Sequence, residues 1–153
     1  MRFSTKSRYA LRLMEELAHR GPQACVSIKE ISESQAISLK YLEQIVTPLA
    51  RAGLVSSERG SHGGYRLTRL PEAYTAGDIL RAIEGPTVPV PCMETEVNAC
   101  PRCDNCRTLR FWQGLDTVMN QYLDSVTLAD LVSGDCDNAA DGICRSQSAP
   151  KET

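Results

Sequence analysis

The apolar positions of this chain fall into a series of short helical stripes, interrupted once by two strand-like runs. Over residues 4–20, Ala10, Leu13, Met14 and Leu17 follow the i, i+3, i+4, i+7 spacing of an amphipathic helix, which Gly21-Pro22 stops. Ser27-Ile-Lys-Glu30 has the form of a capping box and opens a short helix to about Glu33. Residues 34–38 read as a turn. Ser38 then caps a helix to Ala52, with Gly53 suited to the left-handed position after it. Leu39, Leu42, Val46 and Leu49 form its predicted buried stripe, and Lys40, Glu43, Gln44, Thr47 and Arg51 its outer face. Pro48 removes a backbone donor, so a bend or a loosening after Thr47 is expected.

Helix, short helix, turn, helix is the helix-turn-helix pattern, whose second helix presents long polar side chains to the major groove. Gln suits adenine, Lys suits guanine, and Glu accepts from cytosine. Ser38, Lys40, Tyr41, Glu43 and Gln44 are therefore candidate DNA contacts, joined from the chain start by Arg2 and Lys6. Residues 54–59 and 65–68 read as two short strands around Gly60-Ser-His-Gly-Gly64, a hairpin with a glycine-rich tip. A hairpin directly after a helix-turn-helix is a wing. Its candidate contacts are Arg59, suited to a narrow minor groove, with Gly60, His62 and Gly63.

Thr75-Ala-Gly-Asp78 caps a further helix with Ile79, Leu80 and Ile83 inward, ended by Gly85-Pro86. The longest helix is predicted from about Asn105 to Asp124. Its broad stripe of Leu109, Trp112, Leu115, Met119, Tyr122 and Leu123 exceeds what a small domain needs, which predicts dimerisation. A short helix follows over residues 127–132. The fold class is thus mainly α with a small β-hairpin: a winged helix-turn-helix domain (1–84), a cysteine-rich loop (85–106), a dimerisation helix with a short terminal helix (107–132), and a tail (133–153) whose polar, acidic composition predicts disorder.

Charge sharpens this picture. The 153 residues carry a net charge of −2, yet residues 1–69 hold eleven Lys/Arg against six Asp/Glu, and the remainder is acidic. A basic first half points to a polyanion, here double-stranded promoter DNA. No apolar run approaches transmembrane length and no signal peptide is recognisable, so a cytoplasmic protein without a membrane partner is expected. No nucleophile–base pair or carboxylate constellation suggests an enzyme.

The remaining chemistry lies in Cys92, Cys100, Cys103 and Cys106, spaced C-x7-C-x2-C-x2-C. Thiolates are soft ligands, and closely spaced ones can converge on one metal centre. The last three repeat the run that wraps an iron–sulfur cluster in bacterial ferredoxins, although the fourth cysteine of that run is absent and Cys92 stands upstream instead. Zinc is the rival ligand, and two disulfides are the bland alternative. Three functions follow: a DNA-binding regulator sensing a [2Fe-2S] or [4Fe-4S] cluster, a zinc-stabilised DNA-binding protein, or a small electron-transfer protein. Cys136 and Cys144, in the tail, read as idle or oxidation-prone thiols.

The chain resembles the IscR-type winged-helix regulators, the Rrf-two family. The matching stretches are Ser4-Thr-Lys-Ser-Arg-Tyr-Ala-Leu, Ile37-Ser-Leu-Lys-Tyr-Leu-Glu-Gln, Gly53-Leu-Val-Ser-Ser-Glu-Arg-Gly, Gly63-Gly-Tyr, Thr75-Ala-Gly-Asp-Ile and Thr127-Leu-Ala-Asp-Leu, spread over residues 1–132. The resemblance implies a homodimer on palindromic promoter DNA, often sensing iron–sulfur status, iron or nitric oxide, with the cluster-assembly machinery as a further candidate partner. It implies that Cys92, Cys100 and Cys106 hold the cluster. The iron–sulfur biogenesis regulators add a histidine three residues after the last cysteine. Here Leu109 stands there, and Cys103 is the natural replacement. The nitric-oxide sensors use an acidic residue in the first helix, where this chain has Arg8. Some relatives lack the cluster and regulate cysteine metabolism with a partner enzyme. The Ala76-Gly-Asp-Ile and Glu84-Gly-Pro stretches look like theirs, but the four loop cysteines do not.

Overall fold

The computed structural model describes residues 3–95 and 100–136. Arg2 and Cys144, and most of the predicted tail, lie outside the described residues. In chain order the elements are α1 (Thr5–Arg20), α2 (Ile28–Gln35), α3 (Leu39–Arg51), β1 (Val55–Glu58), β2 (Gly64–Leu67), α4 (Ala76–Glu84), α5 (Leu109–Ser125) and α6 (Leu128–Ser133).

Local chemistry sets most helix starts. Ser4 Oγ accepts from Ser7 N, and Ser38 Oγ from Tyr41 N. Full capping boxes open α2 (Ser27 with Glu30), α4 (Thr75 with Asp78) and α6 (Thr127 with Asp130). Each satisfies two backbone donors that would otherwise be orphaned. The turn between α2 and α3 places Ala36 in the left-handed region at φ 53°.

Leu13, Met14 and Leu17 from α1, Ile31 from α2, Leu42 and Leu49 from α3, Ile79 from α4 and Leu128 from α6 are fully buried and form one core. Helix α6 thus returns to the winged-helix body. Two features differ from expectation. Leu39 is 45% exposed, and Ile45 takes its place in the buried stripe. Leu39 stands at the very start of α3, at the edge of its apolar side, whereas Tyr41 and Leu42 of the same turn are half-buried and buried. Second, α3 continues through Pro48 to Arg51 without loosening. Proline forfeits one backbone donor, but Ile45, Val46 and Leu49 anchor the helix on both sides of it, and packing outweighs a single lost bond.

β1 and β2 pair antiparallel with Val55 opposite Leu67 and Glu58 opposite Gly64. Val26 bridges to β2 from a third segment: Val26 N donates to Tyr65 O at 2.9 Å and Tyr65 N to Val26 O at 2.8 Å. A Cβ on Gly64 would meet Val26 O at 2.3 Å, so only glycine permits this approach. The buried Tyr74 hydroxyl fixes the base of the wing, accepting from Thr68 N and Arg69 N and donating to Leu54 O.

Helix α5 begins at Leu109, later than predicted. Residues 103–105 form a separate 3₁₀ turn, Cys106 is extended, and Thr108 supplies no side-chain cap. Its expected single stripe divides in two. Leu109, Trp112 and Met119 are half-buried and Leu123 is buried, on a helix packed against α4. Phe111, Leu115, Val118 and Tyr122 face outward. At its foot, Thr75 and Thr127 form an isolated antiparallel bridge, with Ala76 N donating to Val126 O and Leu128 N to Tyr74 O.

Candidate DNA-binding surface and cysteine loop

The outer face of α3 assembles as its spacing predicts. Lys40, Glu43, Gln44, Thr47 and Arg51 are exposed and share one open groove with Lys6 of α1 and Pro48. The groove thus joins a chain-start cation to the polar face of the second helix. Ser38 is exposed but spends its hydroxyl on the helix cap. Tyr41 is half-buried, its ring edge-on to Tyr9 at 5.7 Å, which leaves it less reach than its neighbours. At the wing tip Arg59, Gly60 and His62 are exposed and Gly63 is half-buried. Gly63 N donates to Gly60 O at 3.0 Å, and Gly60 sits at φ 127°. A Cβ on Gly63 would strike Glu58 O at 2.5 Å, so glycine is required for this tight tip. Beside it, Glu58 pairs with Arg66 at 3.1 Å across the hairpin.

In the cysteine loop, Cys92 lies in a 3₁₀ turn and all four thiols are half-buried. The chain coils past the last three: Cys103 N donates to Cys100 O at 3.0 Å, Cys106 N to Cys103 O at 3.4 Å, and Leu109 N to Cys106 O at 3.2 Å. Cys103 and Cys106 have opposite surroundings. The Cys103 thiol donates to Asp104 Oδ1 at 3.6 Å, and desolvation followed by the Asp104 charge holds its pKa above the ordinary thiol value. Cys106 Sγ lies 3.4 Å from Thr108 Oγ1, and hydrogen bonding by that residue lowers its pKa. The donor set suits a soft metal centre. Among the described residues, however, no three His, Cys, Asp or Glu side chains converge on one point, and no described cysteine is in a disulfide.

The root of the loop is tied on two sides. Glu84 Oε1 accepts from Ser4 N at 2.8 Å and from the buried Ser7 hydroxyl at 2.5 Å. The buried Thr87 donates to Asn120 Oδ1 at 3.0 Å, and Arg81 reaches both Asn120 and Asp124 of α5. None of these ties is marked by a sequence pattern, since each joins side chains far apart in the chain. Cys25 is a further half-buried thiol, next to the wing, whose pKa is raised by burial and then by Glu58. A lone loop cysteine carries no spacing signal that would single it out.

The model of a family described as "Iron-dependent Transcriptional regulator" matches residues 3–134. The chain belongs to the Rrf2 family. Rrf2 relatives include the HTH-type transcriptional regulator CymR of Bacillus subtilis, 44% identical over 87% of this chain and 91% of that protein. The solved structure of that global cysteine regulator covers 88% of this chain and 98% of its own, with a TM-score of 0.72. The regulator IscR of Erwinia tasmaniensis is 35% identical over 87% of this chain and 79% of that protein. The structure of T. potens IscR, 34% identical, covers 93% of this chain and 94% of its own, with a TM-score of 0.69. Membership makes this chain a transcriptional regulator, a non-enzymatic role, of a family that binds DNA and acts as dimers. Among the described residues no helix is long and apolar enough to cross a membrane.

Proposed function

We propose that this Rrf2 protein is a cytoplasmic dimer that binds palindromic promoter DNA and adjusts that binding to the state of an iron–sulfur cluster in its cysteine loop. The observation that carries the reading is the concentration of four thiols in one loop whose root is tied to both α1 and α5. Lys40, Glu43 and Gln44 meet base edges, with Ser38 and Tyr41 at the margin of that contact. Arg2 and Lys6 meet phosphates, and Arg59, Gly60, His62 and Gly63 follow the neighbouring minor groove. Residues 1–84 read DNA, 85–106 sense, and α5 pairs the subunits. Cys92, Cys100 and Cys106 are the proposed ligands. Cys103 is proposed for the fourth position because Leu109 offers no donor.

A bound cluster supplies a redox-sensitive cross-link among these thiolates. Gathering the thiols shifts the chain between Glu84 and Leu109. Because Glu84 also holds Ser4 and Ser7, and Thr87 holds Asn120, that shift biases both the DNA-facing end of α1 and the setting of α5. Anaerobic purification with iron and sulfide analysis tests the reading: both elements should be present, and Cys92→Ser, Cys100→Ser or Cys106→Ser should lose them. Cys103→Ser should hold the cluster weakly; a full cluster with unchanged spectra would make this a three-cysteine site.

A second reading is thiol-based sensing of cysteine or redox status without a cluster. Two observations favour it: the similarity to CymR, the global cysteine regulator of B. subtilis, and the lack of a gathered metal-binding group among the described residues. Protein that cannot be loaded with iron and sulfide, yet changes DNA affinity on oxidation, would select it. Stoichiometric zinc would select the zinc-stabilised alternative.

A further inference from the structure

Among the described residues, six large apolar side chains are exposed. Four of them, Phe111, Leu115, Val118 and Tyr122, line the outer face of α5 and share one explanation. Leu39 has none of its kind. It occupies the first turn of α3, between the cap residue Ser38 and the exposed Lys40, one helical turn before the exposed Glu43. The helix does not need it for burial, since Leu42, Ile45, Val46 and Leu49 already complete the buried stripe. Helix propensity does not call for it either, because Lys, Glu or Gln would serve about as well and would be solvated better. An isolated exposed leucine is ordinary on a protein surface. This one lies where a helix-turn-helix recognition helix brings its N-terminal residues to base edges.

Of the four bases, only thymine presents an apolar group in the major groove, its C5-methyl. Lys40, the next residue of the first turn, and Gln44, farther round on the outer face, have the hydrogen-bonding groups suited to guanine and adenine. A leucine beside them supplies the contact that hydrogen bonds cannot. We infer that Leu39 is a specificity-determining residue that packs on the C5-methyl group of one thymine in each half-site. This rests on the DNA-binding reading of α3.

The test begins with a duplex selected by the wild-type protein from a randomised pool. Each thymine of the half-site is then replaced singly by deoxyuridine, which removes only the methyl. Binding of wild type and Leu39→Ala is measured by fluorescence anisotropy at one salt concentration, with circular dichroism to show that the variant is folded. At one thymine per half-site the wild type should lose about fourfold in affinity, the worth of one methyl group removed from water. At that position Leu39→Ala should bind the thymine and deoxyuridine duplexes equally, while keeping its sensitivity to other base changes. The inference is overturned if the half-site contains no thymine, or if every deoxyuridine penalty is the same in both proteins. If the wild type enriches no sequence and binds no duplex, the DNA-binding reading itself falls, and this inference falls with it.

Discussion

Ala36 shows what a single residue contributes to the helix-turn-helix. Its φ of 53° is costly for any residue with a Cβ. The turn is held by the Ser32 hydroxyl on Ile37 O at 2.6 Å, by Ile37 N on Ser32 O, and by Arg12 Nη2 on Gln35 O at 2.8 Å. Because Ala36 is exposed and its methyl packs on little, Ala36→Gly should raise stability by about 0.5–1 kcal/mol in urea titrations. A decrease would mean that the extra freedom of glycine in the unfolded chain dominates. Glu84 allows a test by pH. Hydrogen bonds from Ser4, then Ser7, lower its pKa from the ordinary 4.5. A depressed folded-state pKa contributes stability above the ordinary value, which is lost as pH falls through the folded one. The stability advantage of wild type over Glu84→Gln should therefore be full near neutrality and shrink below the ordinary carboxylate value. Parallel melting curves across that range would show that the contact contributes nothing.

Elements show why some predictions from sequence hold and others fail. Capping boxes are legible because donor, acceptor and helix start lie within four residues: the Ser27–Glu30 box and the Thr75–Asp78 cap both form as expected, and Thr127 with Asp130 adds a third box. The hairpin is legible for a similar reason, its glycine-rich tip lying between two β-prone runs. Burial at helix ends is not local. Leu39 matches the periodic stripe, but at the very start of α3 it stays 45% exposed while Leu42, later in the same turn, is buried. The predicted start of α5 at about Asn105 comes too early because the chain there makes a separate 3₁₀ turn and Cys106 is extended. The periodicity of α5 likewise cannot tell the residues facing its own body from those facing outward. Only the outward set is available to a second subunit, so Val118, 64% exposed, is the position to test. Val118→Asp should give a folded monomer in sedimentation at concentrations where wild type is a dimer. An intact dimer would place the interface elsewhere.

At the scale of the whole molecule, the charge is divided: the basic residues concentrate in the half that forms α1 to β2, and the acidic half carries the cysteine loop and α5. Association with DNA should therefore weaken steeply with salt despite the net negative charge. Gln44→Ala should cost about 1–3 kcal/mol at the selected site and relax base preference, whereas Lys6→Ala should weaken all duplexes alike and reduce the salt slope by about one. Arg59→Ala should weaken binding as well. If Gln44→Ala and Arg59→Ala both bind like wild type, the assignment of these residues is wrong. Within the candidate site, the spacing of the cysteines was visible in the sequence, but the Glu84 and Asn120 ties at the root of the loop were not, because they join residues that only folding brings together. The bridge between Thr75 and Thr127 has a consequence for how such a molecule can change over generations. The chain enters α4 and comes out of α5 at adjacent points, so the two helices and the loop between them form a detour with a fixed gateway. Lengthening a detour whose ends already meet costs only about 0.6 kcal/mol per doubling of a flexible segment. The stretch between α4 and α5 can therefore gain, lose or exchange residues, and with them the signal it answers to, while the gateway and the DNA-reading body keep their form.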